Sequence, residues 1–235
     1  MATRKGTLYL IPNSLGGGVN SFATELSKQL VQKVEHFVVE EIKSARRLLR
    51  ALGLKREFEE VNFYFLNEHT RFNEMGSLLK PLLAGHDAAI ISEAGLPCVA
   101  DPGSSLVALA HENGIKVVPL SGPSSIFMAL MASGMNGQEF TFNGYLPRDR
   151  SERIRKIKQL DSLGAKGHTQ IFMDVPYRNQ QVLEDLLQHC RTESKLCIAC
   201  NISTQAEMIL TKTIAEWLVL QPSLPKEPTM FLLGK

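Results

Sequence analysis

Five short apolar runs, "TLYLI", "HFVVE", "NFYFL", "AAIIS" and "KVVPL", punctuate the first half of the chain. Between them lie stretches with helical patterning near 21–34, 43–53, 72–85 and 104–113. This alternation of strand and helix predicts a mainly parallel sheet covered by helices. After Pro119 the pattern changes to one apolar helix, "SSIFMALMASG", and then to longer strands, "EFTFNGYL", "TQIFMDV", "KLCIACNI", "EMILTKT" and "TMFLLG". Helices near 151–160, 178–190 and 213–219 separate them, which predicts a second α/β unit with a mixed sheet. The expected fold class is α/β with two domains, 1–120 and 121–235, and there is no internal repeat or low-complexity linker between them.

In open parallel sheets ligands bind beyond the carboxyl ends of the strands. Three loops at such ends are rich in Gly, Pro and Ser: "IPNSLGGGVNS", "SEAGLPCVADPGSS" and "PLSGPSS". Glycine permits positive φ and close approach, and proline fixes the turn, so each loop can recognise a ligand with its backbone. Asp101 or Ser104 is also placed to cap the helix that follows, with Pro102 near its first turn.

The 235 residues are 44% hydrophobic and 21% charged, the make-up of an ordinary soluble globular protein. The apolar piece behind the basic N-terminus stops at Pro12, too short for an export signal. A cytoplasmic location with reduced thiols is expected, and Cys197 and Cys200 of "CIAC" read as a buried strand rather than a metal or redox pair. Trp217 reads as core packing. A net charge of +2 leaves any polyanion surface to local patches. Two stretches qualify. "KSARRLLRALGLKRE" holds Lys43, Arg46, Arg47, Arg50, Lys55 and Arg56, and "RDRSERIRKIK" holds Arg148, Arg150, Arg153, Arg155, Lys156 and Lys158. In the second, Ser151 stands at the N-cap position, and Ile154, Ile157 and Leu160 recur so that the cations mostly line the outer face.

No GxGxxG fingerprint, GxxxxGK[ST], HExxH, GxSxG or paired CxxC is present, so dinucleotide, P-loop, zinc-hydrolase and serine-esterase chemistry lack support. The segments "GTLYLIPNSLGG", "SEAGLPCVADPGSSLVALAHENGIKVVPLSGPSS", "FNGYLPRDRSERIRKI" and "DVPYR" together resemble the tetrapyrrole-methylase-type (class III) S-adenosylmethionine methyltransferases. The similarity is closest to the ribosomal RNA small-subunit methyltransferase I branch and runs over nearly the whole chain in order.

That resemblance implies S-adenosylmethionine as cofactor, held in a cleft between two α/β domains, in a homodimer with no metal and no membrane association. It implies 2′-O-methylation of a cytidine of 16S rRNA, with RNA or the small ribosomal subunit as partner. By position it assigns cofactor contacts to Pro12, Asn13 and Leu15, to Ser92, Glu93, Ala94, Gly95, Pro97, Asp101 and Gly103, to Gly122, Pro123, Ser124 and Ser125, and to Val175, Pro176 and Tyr177. The sequence departs from the branch pattern in "NSLGG" for TPIGN, in Glu40 to Lys43 for EDTR, in "EAGLP" for DAGTP, in "DVPYR" for ESPHR, and in Asn201 where a glutamate is expected. A cofactor-binding paralogue with lost catalysis or a small tetrapyrrole substrate is the competing reading.

Methyl transfer is a displacement in which positioning supplies most of the rate, and an alcohol acceptor must also lose a proton. "NEHT" follows "NFYFL", which places Glu68 and His69 at a strand end as candidates for that task, against a helix cap and a loop histidine as the alternatives. Glu41 and Lys43 are second candidates, for orienting the acceptor. Phosphate contacts are expected from the stretch 148–158.

Overall fold

The computed structural model describes residues 4–66 and 72–235. The chain forms two compact units, Met1–Ser124 and Ser125–Lys235, each built on its own five-stranded sheet.

In the first unit the five apolar runs become β1 (Thr7–Ile11), β2 (His36–Val39), β3 (Asn62–Phe65), β4 (Ala88–Ile91) and β5 (Lys116–Pro119). They stand in the order β3-β2-β4-β1-β5, and every pairing is parallel. All four residues of β4 are buried, and the period of two along a strand divides them between two cores. Ala89 and Ile91 join Ile11, Phe37 and Val39 on one face, under Leu30 and Val31 of α1 (Glu25–Lys33) and Leu48 and Leu49 of α2 (Ile42–Ala51). Ala88 and Ile90 join Leu8 and Val38 on the other. That second face is closed by α3 (Phe72–Leu78), α4 (Lys80–Leu83) and α5 (Ser104–Glu112), through Leu78, Leu82, Leu106 and Ala110. A slip of one residue in β4 would exchange the two pairs, so this burial sets the register.

The same layering positions a site. Leaving β1 the chain passes to α1 on one face, whereas leaving β4 it passes to α5 on the other. Adjacent strands whose continuations depart on opposite faces form a switch point, the place where such sheets offer a ligand site beyond their carboxyl ends.

The second unit begins with α6 (Ser125–Ser133) and holds β6 (Phe140–Tyr145), α7 (Arg150–Ala165), β7 (Thr169–Met173), α8 (Asn179–His189), β8 (Lys195–Cys200), β9 (Met208–Thr213), α9 (Ile214–Leu220) and β10 (Thr229–Gly234). The sheet order is β6-β7-β10-β8-β9. Only β6 and β7 run parallel, joined by the α7 crossover; the other pairings are antiparallel, which makes the sheet mixed. The strand last in the chain, β10, lies in the middle of this sheet with all six residues buried. Phe231 of β10 stacks on Phe172 of β7 with ring centroids 5.8 Å apart, and Trp217 closes the same core while its Nε1–H donates to the Leu196 carbonyl at 2.9 Å.

Two local expectations change, and the buried-strand reading of Cys197 and Cys200 holds. Helix α7 is capped by Asp149, whose carboxylate accepts from the Glu152 amide at 2.9 Å; Ser151 sits inside the first turn and donates its hydroxyl to Asp149. A charged acceptor two residues earlier outcompetes the hydroxyl for the free amides. Helix α5 is capped by neither Asp101 nor Ser104: its N-cap is Gly103, at φ 123°, with no side-chain cap. A Cβ there would lie 2.9 Å from the Cys98 sulfur, so the close approach demands glycine. Cys197 and Cys200, three apart on β8, point to opposite faces and are both buried free thiols.

Candidate functional site

The loops after β1 and β4 meet at that switch point. Asn13 and Gly95 exchange backbone hydrogen bonds of 2.9 and 3.1 Å, an isolated antiparallel bridge at the mouth of a parallel sheet. The Asn13 side chain fastens the contact: its amide donates to the Ser92 and Glu93 carbonyls at 3.1 and 3.0 Å, and its oxygen accepts from the Ser14 amide at 2.8 Å. Ser92, fully buried, donates its hydroxyl to the Gly95 carbonyl at 2.8 Å and closes the turn. The loop after β5 completes the group. A Cβ on Gly122 would lie 2.3 Å from the Pro12 ring, and one on Gly95 would meet the Leu15 side chain at 3.4 Å and the Pro123 carbonyl at 3.5 Å. Thus Pro12, Asn13, Leu15, Ser92, Gly95, Gly122 and Pro123 are brought together, by backbone pairing and by side-chain packing against glycine.

Beyond Gly95 the second loop is tight. Cys98 and Ala100 adopt positive φ of 66° and 56°, conformations that non-glycine residues hold only under constraint. The turn delivers Asp101 to Glu40, the residue that follows β2. Burial first, then a hydrogen bond to Glu40 and the charges of Glu40 and Glu93, push the Asp101 carboxyl up to about 8. Glu93 is also raised, chiefly by desolvation. Oε1 of Glu40 is buried without a hydrogen-bond partner. Sequence reasoning did not select Glu40; an acidic residue directly after a strand of this sheet was the available signal. Loops joined in this way beside clustered carboxyl groups, one oxygen of which lacks a donor among the described residues, fit a ligand that carries a positive centre such as a sulfonium or an amine.

Of the proton-acceptor candidates, Glu68 and His69 lie outside the described residues. Glu41 is the N-cap of α2: its two carboxylate oxygens accept from the Lys43 and Ser44 amides at 2.8 and 2.7 Å, which holds its carboxyl below the usual range. A carboxylate so engaged is a weak base, and its position serves the helix. Lys43 is exposed in the first turn of α2.

In the second unit Val175, Pro176 and Tyr177 form a short 3-10 turn after β7, with Tyr177 exposed. The turn is held by Asp174, whose Oδ1 accepts from the Val175 amide at 2.7 Å and from the Arg178 guanidinium. Ser124, buried, and Ser125 stand where α6 begins. Ala94 is exposed, Pro97 buried, and Gly103 is taken up by packing against Cys98 and Ile90.

The stretch 148–158 divides. Arg148, Arg150, Arg155 and Lys158 are exposed and Lys156 partly so, and Pro147, Glu152, Arg155, Lys156 and Gln159 line a surface groove of about 460 Å³. Arg153 departs from the expected outer face. Only 1% exposed, it pairs with buried Asp185 at 2.8 Å and donates to the Arg148 carbonyl at 3.0 Å. The partner lies 32 residues ahead, on α8, so the local periodicity of α7 carries no sign of it. Among the described residues no group of three His, Cys, Asp or Glu side chains could hold a metal ion, and no helix is long and apolar enough to cross a membrane.

The sequence profile of the tetrapyrrole (corrin/porphyrin) methylases matches residues 17–217. The ribosomal RNA small subunit methyltransferase I of Haemophilus influenzae is 30% identical, over 100% of this chain and 81% of its own length. The protein of that name from Vibrio cholerae is 29% identical over 89% of this chain and 69% of its own. Among solved structures, the methyltransferase CobJ superposes with a TM-score of 0.63 at 17% identity, over 98% of this chain and 94% of that one. The cobalamin biosynthetic enzyme cobalt precorrin-4 methyltransferase, CbiF, does so with a TM-score of 0.61 at 15% identity, over 97% and 94%. At such identities the structural likeness speaks for the fold.

Proposed function

Because this chain belongs to the tetrapyrrole methylase family and is an S-adenosylmethionine-dependent methyltransferase, we propose that its acceptor is small-subunit ribosomal RNA, methylated on the 2′-hydroxyl of a cytidine ribose. The observation that carries the cofactor side is the cradle of Pro12, Asn13, Gly95 and Gly122 at the switch point of the parallel sheet. When bound there, S-adenosylmethionine supplies an electrophilic methyl group on a sulfonium. The chain's part is to hold and orient. Main-chain groups of the three loops grip the cofactor, while Glu93 and Glu40, beside the protonated Asp101, offer negative potential to its cationic end.

A ribose hydroxyl needs a proton acceptor as it attacks, and Glu68 or His69 takes that role in this reading, with Lys43 orienting the acceptor. The names of the relatives and the exposed cations of α7 support RNA as the partner. Arg148, Arg150, Arg155, Lys156 and Lys158 hold phosphates; Arg153 serves the fold. The homodimer rests on the resemblance. The test is the pair Arg155→Glu/Lys156→Glu, measured for RNA binding by fluorescence anisotropy and for cofactor binding by calorimetry. Loss of RNA binding with unchanged cofactor affinity is expected; RNA binding equal to that of the unaltered protein would contradict the reading.

A further inference from the structure

Helix α2 carries a second cationic surface, of which the reading above uses only Lys43. Its buried positions, Ala45, Leu48 and Leu49, lie against the first unit's core, and the opposite stripe is Lys43, Arg46, Arg47 and Arg50, all exposed. Spaced three and four residues apart, these four fall on one face over about 10 Å of helix. Like charges at that spacing destabilise a helix, so the arrangement has a cost that helix formation alone does not explain.

The surroundings sort the cations by task. Arg50 is occupied: it donates to the Leu54 and Arg56 carbonyls, both at 2.8 Å, and pairs with Glu57 at 3.3 Å. Arg56 turns inward to the Val31 and Val34 carbonyls and pairs with Glu35 at 3.6 Å. Lys43, Arg46 and Arg47 have no carboxylate at ion-pair distance among the described residues. The nearby acids are engaged or apart: Glu41 caps α2, Glu57 faces Arg50, Glu60 accepts from the Glu57 amide, and Glu59 is exposed. Arg46 is also set in place. Its guanidinium lies over the Phe58 ring at 4.8 Å and the Phe63 ring at 5.6 Å, while Arg50 covers the Phe58 ring at 4.3 Å. Aromatic support of this kind fixes the guanidinium plane and leaves its in-plane N–H groups to a ligand's oxygens.

We infer that Arg46 and Arg47, with Phe58 as the support of Arg46, form a phosphate-binding surface on the first unit that engages the backbone of the substrate RNA. The inference rests on RNA being the acceptor and adds a surface separate from α7. A lipid partner is disfavoured because the apolar side of α2 is committed to the core and its exposed stripe has nothing for a bilayer to bury.

The experiment compares Arg46→Gln/Arg47→Gln with Arg155→Glu/Lys156→Glu and the unaltered protein. The probe is a short fluorescein-labelled single-stranded RNA, titrated at several salt concentrations, with S-adenosylmethionine affinity measured alongside. Loss of two contacts should weaken RNA binding about tenfold near 0.1 M salt and flatten the slope of log K against log salt by about 1.4, at about 0.7 per contact. Cofactor affinity should not move. If the α2 variant binds RNA with the slope of the unaltered protein while the α7 variant does not bind, this inference falls and the preceding reading stands. If the unaltered protein binds no RNA, both fall.

Discussion

Asp101 keeps its proton at neutral pH because burial and two neighbouring carboxylates oppose its charge, and this links the site to pH. Its ordinary value is 3.8 and in the fold it rises to about 8. Between those values the folded chain binds a proton that the unfolded chain has released, so stability falls as pH rises through that window and levels off above it. Asp101→Asn keeps an oxygen to accept from the Cys98 amide and removes the ionisation. The variant is expected to melt above the unaltered protein at pH 9 and to lose that advantage as the pH falls toward 4. Thermal melts that stay parallel across this range would contradict the assignment. Residue-level legibility was uneven here. Gly95, Gly122 and Pro12 could be picked out because breakers after apolar runs have few other uses. The Asp101–Glu40 contact could not, since it joins residues 61 apart whose types are ordinary for a solvated loop.

Helix α7 shows the same limit at the scale of an element. Its existence follows from the recurrence of Ile154, Ile157 and Leu160, and it runs five residues past the expected end because Gly164 continues the buried stripe, lying against the backbone of β10. Which of its cations are free does not follow, because Arg153 and Arg155 look alike until Asp185 is placed. Removing one partner of a buried pair leaves an uncompensated charge, so Arg153→Ala should destabilise by about 3 kcal/mol in denaturant titration. Arg155→Gln should stay within about 0.5 kcal/mol of the unaltered protein. A loss under about 1 kcal/mol for Arg153→Ala would show that Arg150, which also reaches Asp185 at 3.1 Å, carries the pair alone. The strands were the most legible elements, as each apolar run of the sequence forms one, and the β4 run, buried on both faces, could only lie inside a sheet.

For the whole molecule, the change of pattern after Pro119 reflects two sheets of different kind, one parallel and open at a switch point, the other mixed with its final strand in the centre. A parallel sheet with this order creates a crevice whichever residues line it, which is why the fold is retained while "NSLGG" and "EAGLP" differ from the branch pattern. Backbone recognition tolerates such exchanges, whereas acceptor chemistry depends on individual side chains. The account's central claim is that this cradle presents a methyl donor to small-subunit RNA. It is tested most directly by incubating the protein with S-adenosylmethionine labelled in the methyl group and small ribosomal subunits from cells lacking it, then resolving the nucleosides by mass spectrometry. The account predicts label on the ribose of a cytidine in 16S rRNA with the unaltered protein, and none with Gly122→Ala, whose added methyl would drive Pro12 and the first loop apart from the third. Label that is absent with the unaltered protein, or that persists at full rate in Gly122→Ala, would contradict it.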